Sequence, residues 1–170
     1  PTALGMIITD LLIKSFEETA DKLVASRRSE GARLGQIISA QLVEIERMTG
    51  EVRASPSRTP ETIRLRLQDL VSRLLEANGT FDKDRLHQEA VLAATRADVE
   101  EELARLTAHV AAAREILDEK NAVGRKLDFL AQEFNREANT LCSKANAVDV
   151  TRIGLSLKSV IDQLREQVQN

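Results

Sequence analysis

The stretch VGRKLDFLAQEFNREANTLCSKA, residues 123 to 145, decides how the chain is read. Val123, Leu127, Leu130, Phe134 and Leu141 recur at steps of four, three, four and seven, which places them on one face of a helix. Position 137 completes that stripe, but Glu137 stands where a leucine is expected. A second stripe, Arg125, Asp128, Gln132, Asn135 or Arg136, and Asn139, is polar throughout and rich in side chains with directional hydrogen bonds. Two asparagines, a glutamine and three carboxylates in so short a span are not the loose Lys, Glu and Ala of an ordinary surface helix. The segment has the composition of a site, and the remainder reads as its scaffold.

Composition agrees with an all-helical chain. The 170 residues suffice for one domain with a sizeable core. Leu, Ala, Glu, Arg and Gln dominate, glycine and proline are few, and β-branched residues fall inside helical periods instead of alternating. The net charge of −3 removes general basicity as a reason to bind nucleic acid, so any such contact must come from a local patch or another domain. Cys142 is the one cysteine, which excludes an internal disulfide and fits a reducing, cytoplasmic compartment. No apolar run reaches the length of a membrane span. The opening ALGMIITDLLI is interrupted by Thr9 and Asp10 and lacks a basic flank, so it is expected to be a packed helix start and not a signal peptide. A chain starting at Pro1 is expected to be a fragment or a processed product.

In order along the chain, residues 6 to 27 read as a helix with Ile7, Leu11, Phe16, Leu23 and Val24 inward. From Leu34 the pattern Leu34, Ile38, Leu42, Ile45 and Val52, with Met48 beside it, is coiled-coil-like. Residues 1 to 54 are thus expected to form a long helical arm, and residues 55 to 170 a bundle. SPSRTP breaks the arm, and Thr59-Pro60 opens the next helix, which carries Ile63, Leu67, Leu70 and Leu74 as far as Ala77. Phe81 opens another, with Leu86 and Ala90. Asp98 with Glu101 resembles a capping box, followed by Val99, Leu103, Leu106, Val110, Ala113 and Leu117. After the helix of residues 123 to 145, a last one holds Ile153, Leu157, Val160 or Ile161, Leu164 and Val168. The expected fold is all-α, a bundle of antiparallel hairpins with a long arm and about six helices.

Two segments concentrate polar chemistry, residues 98 to 109 and 125 to 144, and the short connection between them implies side-by-side packing. Asp98, Glu102, Arg105 and His109 form a stripe that can meet Asp128, Glu133 and Glu137 at a groove edge. Carboxylates with one imidazole suit Mg²⁺ or Mn²⁺, and Arg105, Arg125, Arg136 and Lys144 suit phosphate. The bland alternative is a set of routine ion pairs such as Glu101–Arg105, with Glu137 buried against Arg125 or Arg136. His87 reads as a solvated side chain and Cys142 as a small buried one. No HExxH, CxxC, Walker loop or Gly-rich nucleotide fingerprint is present, and GARLG at residues 31 to 35 lacks the preceding strand a phosphate loop needs.

RADVEEELARLTAHV (residues 96 to 110), followed by the 123–145 stretch and by SLKSVIDQLREQVQN, resembles the C-terminal domain of the YicC-like bacterial endoribonuclease family. The resemblance is specific from about Arg85 to Asn170, while earlier residues match in helical style and in the RxSEGARL segment. It implies a cytoplasmic homo-oligomer, a hexamer, that cleaves RNA with Mn²⁺ or Mg²⁺ and carries an N-terminal domain with no counterpart here. On that footing Glu102, His109, Asp128, Glu133 and Glu137 are expected to hold metal or activate water. Arg105, Arg125, Arg136 and Lys144 are expected to hold RNA phosphates, with Asp98, Glu101, Asn135 and Asn139 in support. The competing expectation is a non-catalytic helical oligomerisation or RNA-clamp module that depends on the N-terminal domain.

Overall fold

The computed structural model describes residues 3–77, 98–119 and 121–169, and every regular element among them is helical. In chain order these are α1 (Ala3–Arg53), a 3₁₀ turn (Pro56–Arg58), α2 (Pro60–Ala77), α3 (Glu100–Leu117), α4 (Gly124–Lys144) and α5 (Val148–Gln169). The all-α expectation holds. Five α-helices lie within the described residues, and the additional helix expected from Phe81, with His87, falls outside them. The chain divides into two compact units, residues 1–38 and 39–170.

The described residues of the first unit are all helical, and the SEGAR segment does not interrupt them. The inward face expected there is instead exposed: Ile7, Leu11, Leu23 and Val24 all face solvent, and Phe16 is 75 % exposed. A single helix has periodicity but no second element of its own to bury it against, so an apolar stripe alone cannot make a core.

In the second unit the pattern and the packing agree. Leu42, Ile45, Met48 and Val52 are buried at the C-terminal part of α1. Thr59 starts α2 as read, its hydroxyl accepting the Thr62 N–H while Pro60 occupies the first turn. On α3, Val99, Leu103, Leu106, Val110 and Ala113 are buried, and on α4, Leu127, Leu130, Phe134 and Leu141. α4 is the middle helix, packed against α3 on one side and α5 on the other. Its close approach to α5 is made at Gly154, where a Cβ would stand 2.8 Å from Cys142 Sγ and 3.0 Å from a Leu141 methyl.

Long-range polar contacts tie the ends of these helices. Ser55 donates to Asp149, Arg66 donates to both the carbonyl and the side-chain oxygen of Asn146, and Arg114 makes a forked pair with Glu46. Arg53 and Arg58 converge on Glu100 in the first turn of α3, where a carboxylate is also favoured by the helix dipole.

Candidate metal centre and basic groove

The leucine-like register that makes Glu137 conspicuous in the sequence is the reason it is buried. It points with Phe134 and Leu141 toward α3 and is only 3 % exposed. A lone buried carboxylate would be costly. Arg105 meets it from α3, Nη1 donating to Glu137 Oε1 at 3.2 Å, so its partner is neither Arg125 nor Arg136. Arg105 is itself 48 % exposed and also pairs with Glu101 one turn earlier. These two carboxylates, Glu137 first, hold its guanidinium charged more firmly than usual.

One turn further along α3, His109 is half-buried, its ring set edge-on against Phe134 with centroids 5.6 Å apart. Its Nε2 is buried and has no hydrogen-bond partner among the described residues. Glu133 and Glu137, four apart on α4, flank the same space. One ligand atom from each of His109, Glu133 and Glu137 comes within 4.8 Å of the others. One imidazole and two carboxylates this close together are a donor set that fits Mn²⁺ or Mg²⁺. Buried polar atoms are otherwise satisfied as a rule.

Three of the five residues expected at the metal therefore come together, and two stand apart. Glu102 is two turns before His109, about 10 Å along the helix axis. It is 3 % exposed and accepts from Lys144 Nζ at 2.9 Å, while its second oxygen is buried with no partner among the described residues. That pairing raises the Lys144 pKa. Asp128 is turned away by helical geometry, about 140° from Glu133 and about 180° from Glu137 around α4. It accepts from Gln132 and from Gln169 at the end of α5.

The polar stripe of α4 continues the same way. Asn139 donates to Asn135, and Asn135 donates to Asp162 of α5. The asparagines thus form a ladder between α4 and α5 on the side opposite Glu137. Among the other polar positions, Asp98 accepts from the Glu100 N–H and so caps α3, although the residue flanking the helix is Val99. Arg125 is exposed. Arg136 is 71 % exposed, 4.0 Å from Glu133. Cys142 is half-buried, its thiol pKa pushed up by burial.

The sequence reading passed over a cavity of about 270 Å³ beside the first turn of α3. Val99, Ala147 and Val150 form its floor, and Arg58, Asp98 and Asn146 stand among its polar lining residues. Its residues come from four separate segments, which no local motif reveals. No described helix is long and apolar enough to cross a membrane.

Comparison with known proteins agrees with the two-block pattern. Residues 52–170 match the family described as endoribonuclease YicC-like, C-terminal. The chain is 41 % identical over 163 residues to a protein of Haemophilus influenzae named probable endoribonuclease YicC, covering 96 % of this chain and 56 % of that protein. It is 30 % identical over 164 residues to a protein of the same name in Clostridioides difficile, again covering 96 % of this chain and 56 % of the relative. The chain thus spans little more than half the length of the curated relatives it matches. With the family match covering α2 to α5 and both relatives aligned along nearly all of the chain, this protein belongs to the YicC-like endoribonuclease family.

Proposed function

We propose that the chain supplies the metal-holding groove of a divalent-cation-dependent endoribonuclease acting in the cytoplasm. Two observations carry this reading: His109, Glu133 and Glu137 each bring a ligand atom within 4.8 Å of the others, and His109 Nε2 has no hydrogen-bond partner among the described residues. His109 would bind through nitrogen, and Glu133 and Glu137 through one oxygen each. Mn²⁺ or Mg²⁺ held there would supply an activated water and charge neutralisation at a phosphoryl group. Arg105 holds the Glu137 carboxylate in place through one oxygen and leaves the other available. The exposed parts of Arg105 and Arg136 flank the three ligands and would take RNA phosphates. Arg125 and Lys144 extend the basic lining along α4.

The test measures Mn²⁺ binding by calorimetry and metal-dependent RNA cleavage for the chain and its Glu133→Gln, Glu137→Gln and His109→Ala variants. Each substitution is expected to weaken Mn²⁺ binding at least tenfold and to remove cleavage, with helicity kept. Unchanged Mn²⁺ affinity in all three would overturn the assignment.

A second reading, assembly, is favoured by the first unit. Leu4, Ile7, Leu11, Leu12 and Phe16 expose an apolar surface of the kind that marks interaction sites. In residues 3–22 acidic side chains outnumber basic ones, and in residues 23–38 Arg27, Arg28 and Arg33 outnumber Glu30. Antiparallel pairing with a second copy would set these opposite charges against each other. Light scattering on the chain and on a Leu11→Lys, Phe16→Lys variant tests it. A monomeric parent chain would refute self-association.

A further inference from the structure

We propose that the cavity at the start of α3 is a base-recognition subsite that takes a guanine of single-stranded RNA, a few nucleotides from the position of the metal. This rests on the nuclease reading for its RNA, and on the cavity alone for its chemistry. At about 270 Å³ it is at the small end of ligand pockets, suited to one planar group. Val99, Ala147 and Val150 give the lining an apolar side, which a flat aromatic ring meets without leaving a polar group unpaired. The lining carries both polarities. Asp98 accepts the Glu100 N–H at one oxygen, and since each carboxylate oxygen has two acceptor sites, both oxygens retain capacity for further donors. Arg58, held by Glu100 through one amino group, retains further N–H donors. Asn146 has its side-chain oxygen engaged by Arg66, which fixes the amide and leaves its NH₂ as a donor.

Guanine is the base this lining matches best. Its Watson–Crick edge places two neighbouring donors, N1–H and the exocyclic amino group, where a carboxylate accepts both. Its O6 and N7 are acceptors for arginine and for an amide NH₂. Adenine, cytosine and uracil offer a carboxylate one hydrogen-bonding side at most. The subsite also lies on the same helix as His109. Val99 and His109 are ten residues apart, about 15 Å along α3. Arg105 and Lys144 lie between, each partly exposed and suited to the phosphates that link the two sites.

The experiment is a metal-free NMR titration of the 170-residue chain with GMP, AMP, CMP and UMP, with ribose 5-phosphate as the phosphate control. GMP should shift the amides of Val99, Ala147 and Val150 and bind at least fivefold more tightly than the other nucleotides. Asp98→Asn should erase that preference, and Ala147→Phe should fill the cavity and abolish the shifts. Asn146→Ala, at an exposed position where the backbone carbonyl still accepts from Arg66, should weaken GMP binding. No shift at these amides, equal shifts from all four nucleotides, or equal shifts from ribose 5-phosphate would each overturn the proposal. Because neither metal nor cleavage enters the titration, a chain that binds GMP but never cuts RNA refutes the nuclease reading only. A chain that cuts RNA without binding GMP refutes the subsite only.

Discussion

Arg105 Nη1 lies 3.2 Å from Glu137 Oε1, a half-exposed guanidinium closing over a carboxylate in the middle of an apolar face. Buried ion pairs of this sort seldom stabilise a protein relative to well-packed apolar residues. Glu137→Leu should therefore leave the melting temperature unchanged or raise it, while Mn²⁺ binding is lost. Glu137→Ala leaves a void as well and should destabilise by about 1–3 kcal/mol. Thermal unfolding followed by circular dichroism separates the two. A Leu variant that unfolds as readily as the Ala variant would show that Glu137 is there for the fold.

Gly154 makes its own test of packing. Alanine is the better helix former by about 1 kcal/mol, yet the added carbon would stand 2.8 Å from Cys142 Sγ. The clash should win, and Gly154→Ala should lower stability by about 1–3 kcal/mol. Adding Cys142→Ala removes the sulfur and should recover much of that loss, a coupling that a double-mutant cycle measures directly.

Asn135 and Asn139 allow the ladder to be tested separately from the proposed metal centre. Asn135→Ala removes the donor to Asp162 and the acceptor for Asn139. It should cost about 1 kcal/mol of stability and leave Mn²⁺ affinity within twofold. A tenfold loss of Mn²⁺ affinity would place Asn135 in the metal centre after all.

Acid should undo the long-range polar clips first. Asp149 is held below the ordinary aspartate value chiefly by the Ser55 hydroxyl, and Glu46 below the glutamate value by Arg114. Glu100 is lowered in the same way, by Arg58 first and then Arg53. A depressed carboxylate contributes stability that is complete above its unfolded pKa, about 3.9 for Asp and 4.3 for Glu. That contribution is lost as pH falls through the lower folded value. Ser55→Ala should make the chain unfold at a higher pH on acid titration, with little change at pH 7 in the slope of the denaturant curve.

How much of this was legible differs from residue to residue. The stripe Val99, Leu103, Leu106, Val110 was readable because helical periodicity and burial are one signal. Glu137 was readable as a broken period. The same geometry already sets Asp128 apart from Glu137, since nine residues carry it about half a turn away. Its grouping with Glu137 treated two faces of α4 as one. The asparagine ladder was visible as odd composition, but its partner on α5 depends on how two helices are rotated against each other, which one helix does not encode. Phe16 shows the opposite limit. Its spacing asks for a partner, and nothing in a spacing says whether that partner lies within the same unit.

The middle position of α4 carries a consequence of its own. One edge presents Glu133 and Glu137 to α3, and another presents Asn135 and Asn139 to α5. A slip of the helix by a single residue would turn both edges by about 100° and would move Leu141 and Cys142 away from their close approach to Gly154. The ladder and the glycine together act as a register lock. They keep two acidic side chains aimed at one histidine from the far side of the helix.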